Sequence, residues 1–347
     1  MRIFFFSTVF APSVGGIERL AETLCAEFAA KGHDVRLATL TPCIEKERRP
    51  FAVIRRPSLI QFLELLRWSE IHIQANVSLK YTFPRVLQPK RLVYQHNNVY
   101  QRDDGTLGVL DHLKCLIARH TLGIANSCYT AGKLGCARTV YNAYDDFVFC
   151  STVPWDNRDR DIVFLGRLVS QKGCDVLMRA LGRLSRDGLR PSVTIIGDGP
   201  DRHMLEMLAQ TAGVKAQVRF TGTLAGFALA AELNRHRVLV VPSTYEEPFG
   251  IVALEGLACG CLAVVSERGG LIEAIGPHGL TFPNGDEAAL ARTLAEVVCG
   301  WDVARARLAG IDMHLANYRA SVVAERYLAI FEELLKQRSG LLDARSH

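Results

Sequence analysis

Long apolar runs are missing from this chain of 347 residues. No stretch approaches the roughly 18 uncharged apolar residues of a membrane-spanning helix, which argues against a helical span. The apolar N-terminus, Met1 to Phe10, is short and runs into Pro12, Gly15 and Gly16. It reads as a buried strand and not as a signal peptide, whose cleavage site is also missing. Cysteine is sparse: ten residues with no Cys-x-x-Cys pair, Cys259 and Cys261 forming only Cys-x-Cys. That argues against a disulfide scaffold or a zinc ribbon and leaves free thiols in a reducing cytosol as the simplest reading. The Gly-x-Gly-x-x-Gly of dinucleotide binders is absent from the first glycine turn, which disfavours an NAD-dependent dehydrogenase. A basic stripe interleaved with aromatic residues is also absent, so no nucleic-acid partner is expected. No low-complexity tract or short repeat is visible.

What is present is an ordinary globular composition, 49% hydrophobic, which excludes wholesale disorder. The length suggests two domains. Charge is unevenly divided: residues 1–150 hold 19 Lys and Arg against 13 Asp and Glu, whereas residues 151–347 hold 22 against 23. The basic half either faces something acidic, such as a phosphate, an anionic membrane surface or a nucleic acid, or carries spread charges that merely aid solubility. β-rich runs at Arg2–Ser7, Val35–Leu40, Glu70–Gln74, Arg91–Gln95 and Gly123–Asn126 read as strands. So do Asp161–Gly166, Val193–Gly197, Val218–Gly222, Val238–Pro242 and Leu262–Ser266. They show little period-two alternation, the mark of burial on both faces. Helical spacing between them, as in Ile17–Ala30, Cys174–Leu184, Met204–Ala212 and Ala289–Val298, predicts α/β domains with parallel sheets covered on both sides. The polar stretch Ser151–Arg160, with Pro154, reads as a linker. Asp159 and Asp161 form an Asp-x-Asp there, but they precede their strand, so a solvated charge run is preferred over a metal site. Residues Tyr318–Lys336 form an amphipathic helix whose apolar stripe needs a partner.

Chemistry gathers after the strands of the second half. Gly166, Arg167, Lys172 and Gly173 put two cations at a strand's carboxyl end, near a helix start, where a phosphate or diphosphate binds well. A surface loop that is merely basic has the same residues. Gly197, Asp198 and Gly199 repeat the strand–glycine turn, which lets a ligand lie against bare backbone or simply closes a tight turn. Glu247 and Glu255, eight residues apart with a helix expected from Pro248–Gly250, would lie about 12 Å apart along it. That is too far for a paired general acid and base on one atom, and it fits a long polyhydroxylated ligand gripped at two places. Gly269 and Gly270 offer backbone N–H groups at a further helix start. In the first half, Gly15 and Gly16 follow the first strand, and His96 ends an apolar strand. A lone histidine is more often a structural hydrogen-bonder; its position at a strand's carboxyl end makes it a functional candidate.

The ordered set Gly166-Arg167, Lys172-Gly173, Gly197 to Gly199, Phe220 to Gly222, Glu247-x7-Glu255 and Gly269 to Glu273 resembles the retaining nucleotide-sugar glycosyltransferases of family 4. The resemblance is strong over about residues 160–285 and weaker over 1–150, where Gly15-Gly16, His96 and the stretch from Asn142 to Asp145 still fit. It implies the GT-B fold: two doubly wound Rossmann-like domains facing a central cleft, an acceptor domain over 1–150, a donor domain over 151–317, and a helix from 318 that packs back on the N-terminal domain.

The resemblance further implies roles. Arg167 and Lys172 hold the donor diphosphate, Glu247 contacts the donor sugar with backbone around Phe249, Gly250 and Ile251, and Glu255 bonds the ribose. Gly15, Gly16 and Gly197 approach the phosphates or backbone face of the donor, Thr221, Gly222 and Leu224 lie near the base, and His96 lies near the reacting carbon. The implied activity is a retaining hexosyl transfer from a nucleotide-diphosphate sugar, UDP-sugar favoured, to a hydroxyl of a glycan or lipid-linked acceptor in cell-surface polysaccharide or glycoconjugate synthesis. No cofactor or metal is expected, since cationic side chains can neutralise the diphosphate. Leu262 replaces a proline common in the family, and Asn97 and Asn98 stand where an acidic residue is common. Arg48, Arg49, Arg55, Arg56, Arg85, Lys90 and Arg91 sit in the N-terminal domain, where the resemblance places acceptor binding, and the arginine-flanked segment Ser58 to Trp68 reads either as a core-packing helix or as a contact to an anionic membrane. The expected location is cytoplasmic, with peripheral contact to the inner membrane face as the second possibility. An epimerase of the same fold and a catalytically silent sugar-nucleotide binder are the rival readings.

Overall fold

The computed structural model describes residues 1–13, 15–42, 48–81, 92–101, 106–136 and 138–343. The chain forms two compact units: Met1–Ala143 with the chain from Asn317 onward, and Tyr144–Ala316.

The first unit is built on a sheet of β1 (Arg2–Ser7), β2 (Asp34–Thr39), β3 (Ala52–Arg55), β4 (Ile71–Ala75), β5 (Leu92–His96), β6 (Gly123–Ala125) and β7 (Arg138–Thr139). Their order is β3-β2-β1-β4-β5-β6-β7, paired in parallel. Burial of both faces explains why β1 reads as an unbroken apolar run. Ile3 and Phe5 pack with Leu20, Leu24 and Phe28 of the helix Gly16–Ala30, while Phe4 and Phe6 pack with Phe62, Leu65 and Leu66 of the helix Leu59–Trp68. The helix Ala320–Asp343 adds Val323, Tyr327 and Phe331 to the first of these clusters. Each such side chain, fully buried, contributes about 1.5–3 kcal/mol. The Gln95 amide donates to the Tyr327 hydroxyl (2.9 Å), and Arg138 grips Glu333 through two bonds of 2.8 Å.

The second unit holds β8 (Arg160–Leu165), β9 (Val193–Ile196), β10 (Val218–Gly222), β11 (His236–Val241), β12 (Leu262–Ser266) and β13 (Gly279–Phe282), in the order β10-β9-β8-β11-β12-β13 and again parallel. The helices Cys174–Arg186, Arg202–Thr211 and Glu287–Cys299 share one apolar cluster with its strands.

The strands expected from the sequence agree with those found to within about two residues; Arg91, placed in one of them, lies outside the described residues. β3, β7 and β13 were not legible, and each is an edge strand. The stretch expected to be a linker is built into the second unit, because Arg158 is buried at 3% exposure. Its guanidinium donates to the carbonyls of His236 (2.6 Å), Cys259 (2.7 Å) and Val153 (3.1 Å). Asp159 pairs with Arg235, and Asp161 accepts from Ser192 and Arg237, so both carboxylates are bound to protein partners.

The helix Leu59–Trp68 is capped by Ser58 and buries Phe62, Leu65 and Leu66, leaving Leu59 and Ile60 exposed. Three of the flanking arginines are occupied: Arg49 by Glu22, Arg55 by the carbonyls of Ala11 and Thr41, and Arg56 by the carbonyl of Leu40. Arg85, Lys90 and Arg91 lie outside the described residues. Among the described residues no helix is long and apolar enough to cross a membrane. The nine described cysteines are unbonded.

Candidate active site

Both sheets reverse their strand order once, between β1 and β4 in the first unit and between β8 and β11 in the second. At such a switch point the two following loops leave in opposite directions and open a crevice at the carboxyl ends of the strands. In the second unit that point lies between the loop after β8, which carries Arg167 and Lys172, and the loop after β11, which carries Glu247.

The two loops dock through backbone. Thr244 N donates to the carbonyl of Gln171 (2.9 Å). Gly173 adopts φ +67°, and a Cβ there would lie 1.8 Å from the Pro242 carbonyl oxygen, so no other residue permits this approach. On the other side Glu247 bridges to Gly269, and its carbonyl accepts the Gly270 N–H at 2.7 Å. Asn284, after β13, ties the same loop down by donating to the carbonyls of Ser243 and Tyr245.

Lys172 Nζ stands 2.5 Å from Glu247 Oε1, and the Glu247 carboxylate also accepts the hydroxyls of Ser243 and Tyr245, each at 2.7 Å. The ammonium donates to the Tyr245 hydroxyl as well (3.2 Å) and lies 5.1 Å from the centre of its ring. Burial by itself raises the Glu247 pKa; the Lys172 charge and the hydrogen bonds from Lys172, Tyr245 and Ser243 outweigh it and hold the carboxyl below its usual value. Arg167 is exposed and, among the described residues, has no ion-pair partner.

Glu247 precedes the following helix, which runs Ile251–Ala258. The expected helical rise between Glu247 and Glu255 therefore does not apply. The physical reason is local: Glu247 pairs as a strand with Gly269, and Gly250 takes φ +101°, so helical bonding begins only at Ile251. Glu255 is on that helix and is 2% exposed among buried Ala253, Leu254, Leu257 and Ala258, so it is no solvated helical face. Phe249 is buried, and Ile251 and Leu224 are half-buried.

Gly197 lies against Gly166, with its N–H donating to the Gly222 carbonyl (2.8 Å). Thr221 donates to the carbonyl of Gly222 at 3.0 Å. Ser243, Tyr245 and Asn284 were missed by sequence reasoning. Ser243 and Tyr245 lie in the segment already singled out for Glu247, and Asn284 gave no signal beyond a turn.

In the first unit, Gly15 precedes the helix Gly16–Ala30 in extended conformation, and no side chain caps that helix. His96 is fully buried: its Nδ1 lies 2.8 Å from the Tyr100 hydroxyl, which accepts the Val77 N–H at 2.7 Å. Its other ring edge packs on Gly123, where a Cβ would come within 2.6 Å of Nε2. Burial lowers its pKa to about 4, so the ring is neutral at pH 7. Close to the carboxyl ends of β4 to β7, Gln74 Oε1, both amide atoms of Asn97, Asn126 Oδ1 and Asn142 Oδ1 are buried with no hydrogen-bond partner among the described residues. Among the described residues no group of three or more His, Cys, Asp or Glu side chains is arranged to hold a metal ion.

Residues 151–307, which carry the Lys172–Glu247 pair, match the family model described as Glycosyl transferases group 1. The chain is 36% identical over 151 residues to an uncharacterized glycosyltransferase of Methanocaldococcus jannaschii, covering 40% of this chain and 38% of that one. It is 35% identical over 188 residues to the D-inositol 3-phosphate glycosyltransferase of Stackebrandtia nassauensis, covering 51% and 42%. The chain thus spans about two-fifths of the length of these curated relatives. Over its full extent the fold is similar to that of Anabaena HepE in complex with UDP and glucose, with a TM-score of 0.78, 16% identity and coverage of 96% of this chain and 99% of that one. That likeness shows a fold of two Rossmann-like, parallel-sheet domains of the GT-B kind. Together the matches support a glycosyltransferase.

Proposed function

We propose that this protein is a retaining hexosyltransferase of the family 4 type. It moves a sugar from a nucleotide-diphosphate sugar, UDP-sugar first, to a hydroxyl of a glycan or lipid-linked acceptor, without a metal. The observation that carries this reading is the Lys172–Glu247 pair at the switch point of the second unit, within the segment that matches the glycosyltransferase model. A donor diphosphate meets two cationic donors there: Lys172, whose charge is shared with Glu247, and Arg167, which among the described residues has no ion-pair partner. Because Glu247 and Tyr245 already fix the ammonium, little reorganisation is needed as charge grows on the leaving group. Glu247 stays ionised and accepts donor-sugar hydroxyls. Glu255 takes the ribose hydroxyls, and its apolar surroundings strengthen those bonds.

In the transfer step the bond from the anomeric carbon to the phosphate oxygen breaks. The acceptor oxygen bonds to the same face, and its proton passes to the departing phosphate. UDP is favoured because HepE was crystallised with UDP and glucose. Gly15 and Gly16 offer backbone N–H groups to phosphate. The amide oxygens of Gln74, Asn97, Asn126 and Asn142 and the amide nitrogen of Asn97, without partners among the described residues, suit a hydroxyl-rich acceptor, whose hydroxyls can both donate and accept. His96, neutral and fully buried, is assigned no proton-transfer step.

A thermal-shift screen of UDP-, GDP- and ADP-sugars tests donor binding. A bound donor at 100 times its Kd stabilises the fold by about 2.7 kcal/mol, so one nucleotide class is expected to raise Tm. No response to any nucleotide sugar would remove the reading. Product analysis by NMR then tests the stereochemistry: an inverted anomeric centre overturns retention, and an epimer formed from donor alone points to an epimerase.

A further inference from the structure

The helix Val109–Arg119 carries its apolar stripe outward. Val109 is 85% exposed, Leu110 62%, Leu113 45% and Leu116 52%, and only Ile117 and Ala118 are buried. These four positions share one face at helical spacing. The helix Leu59–Trp68, for which membrane contact was weighed from the sequence, instead turns Phe62, Leu65 and Leu66 into the core. Four exposed aliphatic side chains on one short helix make a contiguous patch, which marks a contact surface where scattered apolar residues would not.

The charges around the patch select its occupant. Over residues 106–136 the sequence has three cations, Lys114, Arg119 and Lys133, and one carboxylate, Asp111. That carboxylate is already engaged, 3.1 Å from Lys114 Nζ and accepting the Gly108 N–H. Arg119 is exposed and, among the described residues, has no ion-pair partner. The half of the chain that contains this helix has a surplus of cations. We infer that the helix Val109–Arg119 is a peripheral membrane contact: it lies in the plane of an anionic lipid surface, with Val109, Leu110, Leu113 and Leu116 among the acyl chains and Arg119 and Lys133 at the headgroups. This inference is independent of the sugar-transfer reading, since lipid binding is measured without donor or acceptor.

The test is sedimentation of the full chain with vesicles of phosphatidylcholine containing phosphatidylglycerol, beside vesicles of phosphatidylcholine alone. Binding is expected to the anionic vesicles, weakened by added salt. The double variant Leu110→Gln and Leu113→Gln, at exposed positions and with a residue that keeps helix propensity, should lower the partition coefficient about tenfold or more. The double variant Leu59→Gln and Ile60→Gln should bind as the parent does. Failure of the parent to bind anionic vesicles overturns the inference, as does loss of binding in the second variant but not the first. Sedimentation velocity without lipid examines the other occupant, a second copy of the chain: a dimer that dissolves in Leu110→Gln, Leu113→Gln would assign the stripe to self-association and overturn the membrane assignment.

Discussion

Lys172 and Glu247, 75 positions apart in sequence, meet at 2.5 Å because the loops after β8 and β11 face each other where the strand order reverses. The pair neutralises a buried carboxylate. In the proposed reaction it has a second role, fixing an ammonium for the leaving diphosphate, and substitution can separate the two.

Lys172→Ala should therefore affect both turnover and stability. Loss of one preorganised donor lowers kcat about 10²-fold or more. Stranding Glu247 costs about 1–3 kcal/mol, toward the lower end of buried-pair values because the lysine side chain is 22% exposed. Adding Glu247→Gln should recover much of the stability and none of the turnover. Urea unfolding and steady-state kinetics on the single and double variants check this. Unchanged turnover in Lys172→Ala would refute the diphosphate role.

Acid should destabilise the protein in a defined window. Burial lowers the pKa of His72 to about 3 and those of His96 and His236 to about 4. The unfolded chain thus binds protons that the folded chain refuses. Stability falls as pH drops below about 6.5, with a slope of up to about 1.4 kcal/mol per pH unit for each histidine, until the folded values are reached. Glu247 acts at lower pH: its depressed folded pKa gives stability above the unfolded carboxyl value, lost as pH falls through the folded one. Among the described residues His72 has no hydrogen-bond partner at either ring nitrogen, and it stacks on Phe4. His72→Phe should consequently flatten the slope of Tm against pH between 6.5 and 5, whereas an unchanged slope would show that His72 does not contribute.

Gly173→Ala should disable the site from the backbone. The added methyl meets the Pro242 carbonyl at 1.8 Å, and the residue's positive φ disfavours any side chain. The two loops must separate or strain, at about 1–3 kcal/mol. Donor affinity measured by calorimetry should fall with the stability. Alanine at Gly188, also at positive φ but with open space around its Cβ, should cost less and leave donor affinity intact.

Arg158→Met should destabilise without touching donor binding. The substitution leaves the carbonyl of Cys259 without the Arg158 donor and that of His236 with only the weak Cys261 thiol, at about 1–3 kcal/mol for an unsatisfied buried group. A lower urea midpoint with unaltered donor Kd is the expected result. A large change in Kd would mean that Arg158 also shapes the site.

Most of the strands that were legible are buried on both faces, such as Ile3 to Phe6 or Val238 to Val241, because double burial demands an apolar run; Val218–Gly222 is an edge strand that was legible all the same. The edge strands Ala52–Arg55, Arg138–Thr139 and Gly279–Phe282 were not, since an edge is held by pairing to one neighbour and places few demands on composition. The helix start at Ile251 was misplaced for a related reason: the bridge from Glu247 to Gly269 is a tertiary contact that overrides the local signal of Pro248.

By itself the sequence determined the class of fold, the alternation of strand and helix, and which strand ends carry cations, carboxylates and glycines. These follow from periodicity and residue chemistry, both local properties. Tertiary structure alone decided that Lys172 is bonded to Glu247, that Ser243, Tyr245 and Asn284 support them, that His96 is sealed in the core, and that Val109–Arg119 and not Leu59–Trp68 turns its apolar face to solvent. Which loops meet is set by the order in which strands join the sheet, and which helix face is buried is set by what packs on it. Neither is encoded within the few residues that a sequence pattern spans.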